Sequence, residues 1–183
     1  MSATAVLQWT DNARRFGIVT RFLHWSMAVL MAWQFAAILA YEVFGRTPLT
    51  DRWIHTHKDV GLVLALLLMV RAIWGLANRR RRPAPHGGLV GRAAAVGHLA
   101  LYGLMLIIPI LALMREFGSG EGFKPFGLVL AQAGGAKISW LMAPAELAHA
   151  LLAWLLLAAV AGHIAMVIVH RFVWRDDTLS RMA

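Results

Sequence analysis

The sequence predicts an all-α integral membrane protein built as a four-transmembrane-helix bundle. Of its 183 residues 60% are hydrophobic, and the mean hydropathy is +0.63, which is too apolar for an ordinary soluble domain of this length. The apolar residues gather in four separate runs, each close to the length of about 20 residues that crosses a bilayer as a helix. The basic residues, which give a net charge of +9, lie almost entirely between these runs or outside them.

The predicted spans cover approximately residues 20–42, 55–77, 92–114 and 146–171 of a single membrane domain, 1–183. The first contains the uncharged run "FLHWSMAVLMAWQFAAILAY", and the second holds one charge, Arg71, near its end. The third contains Pro109, which we expect to kink the helix. The fourth begins near "HALLAWLLLAAVAGH". In the connection before it, "FGLVLAQAG" predicts a short helix lying at the membrane surface.

The placement of charge predicts the topology. With four spans, three basic segments lie on one side, which the positive-inside rule makes cytoplasmic together with both termini. The opposite side balances six basic against six acidic residues. The positive charge therefore indicates orientation and contact with anionic lipid head groups, and no nucleic acid partner is expected. The basic segments contain Arg14, Arg15, Arg21, Arg79, Arg80, Arg81, Arg82, Arg92, Arg171, Arg175 and Arg181.

Histidine is the residue type that carries chemistry in this chain, because the chain has no cysteine. Without cysteine there are no thiolate metal sites, iron–sulfur clusters or covalent c-type haem attachment. Ionisable groups at membrane depth are costly and usually functional, although one buried histidine alone could serve as an interhelical hydrogen bond. Six of the eight histidines fall within or at the edges of the spans: His24, His57, His98, His149, His163 and His170.

Depth in the membrane sorts four of these histidines into two pairs. His57 and His149 lie near the outer surface, whereas His24 and His163 lie toward the cytoplasm. His149 and His163 are fourteen residues apart, which puts them on one helix face about 21 Å apart. Two facing imidazoles are the axial ligands of a six-coordinate b-type haem, so the pattern predicts two haem b groups stacked across the bilayer. Zinc or non-haem iron would require three or four converging ligands, usually with carboxylates.

The other histidines leave alternatives open. His55 is a rival to His57, and His98 a rival to His24, since each lies at a similar depth. His170, two turns after His163, is a candidate for quinone contact or proton transfer at the cytoplasmic edge, and His98 lies at the same depth. His86, among arginines and prolines, is interpreted as an ordinary solvated side chain.

The chain resembles the bacterial di-haem cytochrome b561 family over nearly its whole length, and in particular its superoxide oxidase branch. The motifs are "RFLHW" (21–25), "HKDVGLVLALLLMVR" (57–71), "GHLALYGLMLIIP" (97–109), the histidines at 149 and 163, and "HRFVWRDDTLSRM" (170–182). The resemblance implies His24, His57, His149 and His163 as the four iron ligands. It favours His57 over His55, because Gly61 and Arg71 follow at the family's offsets.

The resemblance further implies a bacterial inner-membrane enzyme, a superoxide:ubiquinone oxidoreductase that oxidises superoxide on the periplasmic side and reduces ubiquinone. Haem propionates need cationic partners. Arg71 is the expected inner partner, Arg21 a second candidate and Lys58 a weaker outer one. The alternative is a membrane-anchor and electron-relay subunit with a redox partner protein, a respiratory dehydrogenase or hydrogenase. A haem-free transporter or structural bundle is a third interpretation.

Overall fold

The computed structural model describes residues 8–84 and 87–183, and within them the regular structure is helical. Four helical segments are long and apolar enough to cross a membrane: Ile18–Phe44, Pro48–Ala77, Gly88–Gly118 and Ser139–Val173. This confirms the predicted all-α, four-helix fold class. His86 and Pro85, which belong to the connection between the second and third segments, lie outside the described residues.

The individual helices are α1 (Ile18–Phe44), α2 (Pro48–His55), α3 (His57–Ala77), α4 (Gly88–Gly118), α5 (Ser139–Ile168) and α6 (Thr178–Met182). A π-helical turn, Val169–Val173, extends α5. Helix α1 packs against α3, and α4 packs against α5. We call the end of the bundle that carries residues 8–17, 78–84 and 174–183 the terminal face. The end that carries α2 and residues 119–138 is the loop face.

The core of the bundle is small, as expected of helices whose other faces contact lipid. Met27 of α1 packs with Leu64 and Leu68 of α3, and Tyr102 and Met105 of α4 cover them. Most other large apolar side chains are exposed on the outside of the bundle. In water such a surface would aggregate, but in a bilayer these side chains face a solvent as apolar as themselves.

The second membrane segment is divided into two helices at Thr56, directly before His57. Thr47 and Thr50 form a capping box that starts α2: the Thr47 hydroxyl accepts from the Thr50 N–H at 3.1 Å, and the Thr50 hydroxyl accepts from the Thr47 N–H at 2.9 Å. Pro48 occupies the first turn of α2, where its missing N–H costs nothing. At the break, the Trp33 indole N–H donates to the Thr56 hydroxyl at 2.9 Å, which ties the start of α3 to α1.

The predicted surface helix at "FGLVLAQAG" is wrong. This part of the loop contains a single 3₁₀ turn, Pro125–Gly127. Phe123, before the turn, and Ala131, after it, form an isolated antiparallel bridge. Glycines at 120, 122, 127 and 134 take positive φ, a conformation that interrupts helices. The Phe126 N–H donates to Asp59 of α3 at 3.1 Å, so the loop packs on the start of α3.

On the terminal face, a buried carboxylate joins the N-terminal segment to the start of α1 and to the chain after α3. Asp11 accepts from the Gly17 N–H at 2.8 Å, from the Thr20 hydroxyl at 2.6 Å and from Arg82 Nε at 3.1 Å. The Arg82 guanidinium crosses α3 at Gly75, where a Cβ would lie only 2.9 Å from it. A glycine at that position therefore lets Arg82 reach Asp11.

Candidate haem sites

The first histidine pair lies in the loop-face half of the bundle. His57 is the first residue of α3, and His149 lies on α5. Their ring centroids are 6.3 Å apart with an interplanar angle of 71°. On the far side of His149, its Nδ1 lies 3.3 Å from the Ile108 carbonyl oxygen, to which an N–H can donate. The two helices thus present their imidazoles to each other across the bundle.

The second pair lies closer to the terminal face. His24 of α1 and His163 of α5 have ring centroids 6.3 Å apart and an interplanar angle of 77°. His149 and His163 both belong to α5, and their separation of fourteen residues corresponds to about 21 Å along that helix. Each end of the bundle therefore has its own facing pair.

The separation within each pair fits two imidazoles on opposite sides of one metal ion. A metal–nitrogen bond of about 2.0 Å plus about 1.1 Å from the nitrogen to its ring centre puts each centroid about 3.1 Å from the metal. Two such rings on opposite sides of the metal have centroids about 6.2 Å apart, close to the 6.3 Å of both pairs. Bis-imidazole coordination of a planar macrocycle needs this arrangement.

A large apolar cavity of about 510 Å³ adjoins the His57–His149 pair. Its walls are mostly aliphatic and include Gly61, one helical turn after His57. A Cβ at Gly61 would lie 3.2 Å from the side-chain amide nitrogen of Gln34, so the glycine keeps this wall open. The cavity combines an apolar space with two imidazole rings, which are features that a b-type haem requires.

The rival histidines have different surroundings. His55, the last residue of α2, lines a separate cavity of about 710 Å³ with Tyr41, Arg46 and Arg115. Within the described residues, the His55 ring makes no contact with the ring of His149. His98 does approach the second pair: its ring centroid is 5.5 Å from that of His163, and its Nδ1 lies 2.7 Å from the Ala94 carbonyl. A separation of 5.5 Å is too short for two rings in trans on one metal, so His24 fits that position better than His98.

The predicted cationic partners differ in what they contact. Arg71 of α3 donates from Nε to the Tyr102 hydroxyl at 2.9 Å, while its buried Nη1 has no hydrogen-bond partner within the described residues. Arg71 lies near both His24 and His163. A buried, unpaired guanidinium N–H beside a histidine pair fits an anionic propionate. Arg21 instead donates from Nη1 to the Ala183 carbonyl at 2.5 Å and holds the C-terminal segment in place.

His170 is buried in the π-helical turn at the terminal face. Its Nδ1 lies 2.6 Å from Asp176 Oδ2 and 3.2 Å from the Thr178 hydroxyl, and its ring contacts Trp174 edge-to-face at 4.6 Å. The hydrogen bond from His170, helped by the Thr178 N–H, holds the pKa of Asp176 well below its usual range. His170 therefore ties the chain after α5 back onto the end of that helix.

A charge cluster lies at the mouth of the apolar cavity, where two basic residues expected from the sequence on this side of the membrane meet a carboxylate. Lys58, next to His57, donates to Glu116 at 2.8 Å, and Arg115 lies 3.7 Å from the same carboxylate. The Glu116 side chain is only 11% exposed, whereas those of Lys58 and Arg115 are more than half exposed. Lys58 and Glu116 are 58 positions apart, and no local sequence pattern pairs residues at that distance. The sequence feature that indicates Glu116 is the charged pair "RE" at the end of the third span.

Comparison with known proteins assigns the family. The family model described as prokaryotic cytochrome b561 matches residues 15–183. The chain belongs to the prokaryotic cytochrome b561 family. Cytochrome b561 homolog 2 of Escherichia coli K12 is 30% identical, and the alignment covers 96% of this chain and 95% of the relative.

Two other relatives are similar over most of their length. The probable superoxide oxidase CybB of Yersinia pestis is 28% identical, with 87% of this chain and 90% of the relative covered. Cytochrome b561 homolog 1 of E. coli K12 is 27% identical, with 92% and 96% covered. As a cytochrome b561 family member, this chain is a transmembrane electron-transfer protein with b-type haem, and with four spanning helices it is a multi-pass protein of the bacterial inner membrane.

Proposed function

We propose that the protein holds two b-type haems, one between His57 and His149 and one between His24 and His163. The observation that carries the proposal is the geometry of the two pairs, each 6.3 Å between ring centroids and each formed by two different helices. The haems, when bound, would supply one-electron transfer. The protein fixes the ligands at two depths on α5, and this spacing sets the electron path across the membrane.

We further propose that the chain forms one membrane domain with the terminal face in the cytoplasm. The arginines that precede α1, that follow α3 and that lie after α5 all belong to this face. Basic residues near helix ends stay on the cytoplasmic side during insertion. The loop face, and with it the His57–His149 pair, is then periplasmic.

The proposed reaction is the oxidation of superoxide at the periplasmic side with ubiquinone as the electron acceptor. Two superoxide ions give up one electron each and become dioxygen, while ubiquinone takes up two electrons and two protons and becomes ubiquinol. Similarity to a probable superoxide oxidase over 87% of the chain supports this reaction. At the cavity mouth, Lys58 and Arg115 carry positive charge toward the loop face, where they would attract a small anion.

For the quinone, we propose a site near the terminal face, with His170 and His98 as the candidate contacts. Quinone reduction needs protons, and His170 lies in a hydrogen-bonded group with Asp176. Near the His24–His163 pair, Arg71 is the proposed partner of a haem propionate, with its unpaired Nη1 as support. Arg21 is the second candidate, although its Nη1 already binds the C-terminal segment.

The ligand assignment is tested by haem content, with a matched control at each end of the bundle. A pyridine haemochrome assay on the purified protein should give two haems per chain. His57→Ala and His24→Ala should each give one. His55→Ala and His98→Ala, which remove the neighbouring histidines, should keep two. The assignment would be overturned if His55→Ala lost a haem while His57→Ala kept two, or if His98→Ala lost a haem while His24→Ala kept two.

The reaction is tested by rapid mixing. Superoxide should reduce the haems of the unmodified protein, superoxide dismutase should abolish that reduction, and added ubiquinone should reoxidise the haems. A protein with two haems that superoxide does not reduce would contradict the proposed reaction. If a dehydrogenase or hydrogenase then co-purified and reduced the haems, the protein would be the relay subunit described above as the alternative.

A further inference from the structure

A buried glutamine stands behind one of the proposed iron ligands. Gln34 lies in the middle of α1 and is only 7% exposed. Its side-chain nitrogen donates to the main-chain carbonyl of His57 at 3.0 Å. Its amide oxygen is buried and has no hydrogen-bond partner within residues 8–84 and 87–183. An unpaired buried acceptor costs about 1–3 kcal/mol, so a glutamine at this position needs an explanation.

The second unpaired atom belongs to the residue that Gln34 already contacts. His57 Nδ1 is buried and has no hydrogen-bond partner in the described part of the chain. Both side chains line the same apolar cavity. When a histidine binds a metal through Nε2, its Nδ1 carries a proton and needs an acceptor. One unpaired donor position and one unpaired acceptor thus lie on two residues that are already hydrogen-bonded to each other.

We propose that Gln34 is a positioning residue for His57: its amide oxygen accepts the Nδ1 proton of His57 when Nε2 serves as the iron ligand. This inference rests on the proposed function, since it takes His57 as a ligand. His149 has the corresponding acceptor in the Ile108 carbonyl, 3.3 Å from its Nδ1. Gln34 would give His57 the partner that His149 finds in its neighbouring helix.

The amide would act on both the orientation and the basicity of the ligand. A hydrogen bond to the outer ring nitrogen fixes the ring and its tautomer, and it increases electron donation to the metal. Stronger donation favours the oxidised iron and lowers the midpoint potential of that haem. Gly61 contributes space, because a Cβ there would lie 3.2 Å from the Gln34 nitrogen and would press on the amide.

The test compares Gln34→Met, which removes both hydrogen-bonding atoms at nearly constant volume, with Gln34→Glu, which keeps an acceptor oxygen. Val29→Met is the matched control, since Val29 lies on the same helix but is 67% exposed and does not line the cavity. The readouts are haem content, redox titration of the two haems, and NMR detection of the slowly exchanging Nδ1 proton in reduced protein with ¹⁵N-labelled histidine.

We expect Gln34→Met to keep two haems, to lose the protected Nδ1 proton and to raise the potential of one haem only. A tenfold change in the equilibrium constant between the oxidised and the reduced haem corresponds to about 59 mV for a one-electron couple. Gln34→Glu should restore the protected proton and shift the same haem in the opposite direction. Val29→Met should leave both potentials and the proton signal as in the unmodified protein.

Two results would overturn the inference. In one, Gln34→Met leaves the proton signal and both potentials at the values of Val29→Met. In the other, the two Gln34 variants shift the potential in the same direction with the proton signal retained, which means that the amide acts on the main chain alone. Failure of the ligand assignment is recognised separately, because His57→Ala would then still contain two haems.

Discussion

The hydrogen bonds of Asp11 allow a quantitative prediction of how much this side chain contributes to the stability of the protein. This side chain is fully buried and accepts hydrogen bonds from Gly17, Thr20 and Arg82, while Arg82 is about a third exposed. In Asp11→Asn the amide oxygen can still accept from Gly17 and Thr20, but the amide nitrogen meets the Arg82 guanidinium, donor against donor. The variant therefore loses one charge-assisted hydrogen bond of about 1.5–3 kcal/mol.

Asp11→Ala removes all three acceptor contacts and leaves a cation and two donors unpaired, so the loss should reach about 3–5 kcal/mol. For a chain of this size, 1 kcal/mol shifts the unfolding midpoint by about 2–4 °C. We therefore expect Asp11→Asn to lower the midpoint by roughly 3–12 °C, and Asp11→Ala to lower it further.

The assay is thermal unfolding in detergent, followed by tryptophan fluorescence at one fixed heating rate, because membrane proteins often unfold irreversibly. Asp177→Asn is the matched control. It also removes a carboxylate on the terminal face, but Asp177 is 60% exposed and pairs with Arg181 at 2.9 Å one helical turn away, a contact worth about 0.3–0.5 kcal/mol. If Asp11→Asn unfolds at the same temperature as Asp177→Asn, the buried-contact reasoning is refuted.

Three further predictions concern the haem pairs and the C-terminal segment. The imidazole planes cross at 71° and 77°, and near-perpendicular axial imidazoles give highly anisotropic low-spin ferric electron paramagnetic resonance signals; rhombic signals typical of parallel planes would contradict the geometry. Arg71→Leu should lower the potential of the haem beside His163, because a nearby positive charge stabilises the reduced form, and unchanged potentials in redox titration would exclude the role of Arg71. The lowered pKa of Asp176 means that its contact with His170 stabilises the segment above the unfolded value of about 3.9, and this stabilisation is lost as the pH falls through the folded pKa. Hydrogen exchange of residues 176–183 should thus be faster in Asp176→Asn than in the unmodified protein at pH 7 and similar in both well below pH 3; equal exchange at pH 7 would contradict this.

The sequence by itself determined the fold class, and it predicts the depth of the candidate iron ligands. Four apolar runs of spanning length leave the backbone no alternative to helices in a bilayer, because every N–H and C=O must be paired within the segment. Position along a helix follows from counting residues at a fixed rise. Residue counting alone therefore predicts that His149 and His163 share one helix face, and it matches the depth of His24 to that of His163 and the depth of His57 to that of His149.

Only the tertiary structure decided which side chains meet, because depth does not fix the rotation of a helix or the identity of its neighbour. His55 and His57 have nearly the same depth, but the chain between them breaks from α2 into α3 at Thr56, which Trp33 holds in place. The two histidines therefore have different neighbours. The apolar run "FGLVLAQAG" has the composition of a surface helix, whereas Gly127 and Gly134 take positive φ angles that prevent one. Contacts such as Arg82 with Asp11 and Gln34 with His57 join positions 71 and 23 residues apart, and no local pattern encodes pairings of that range.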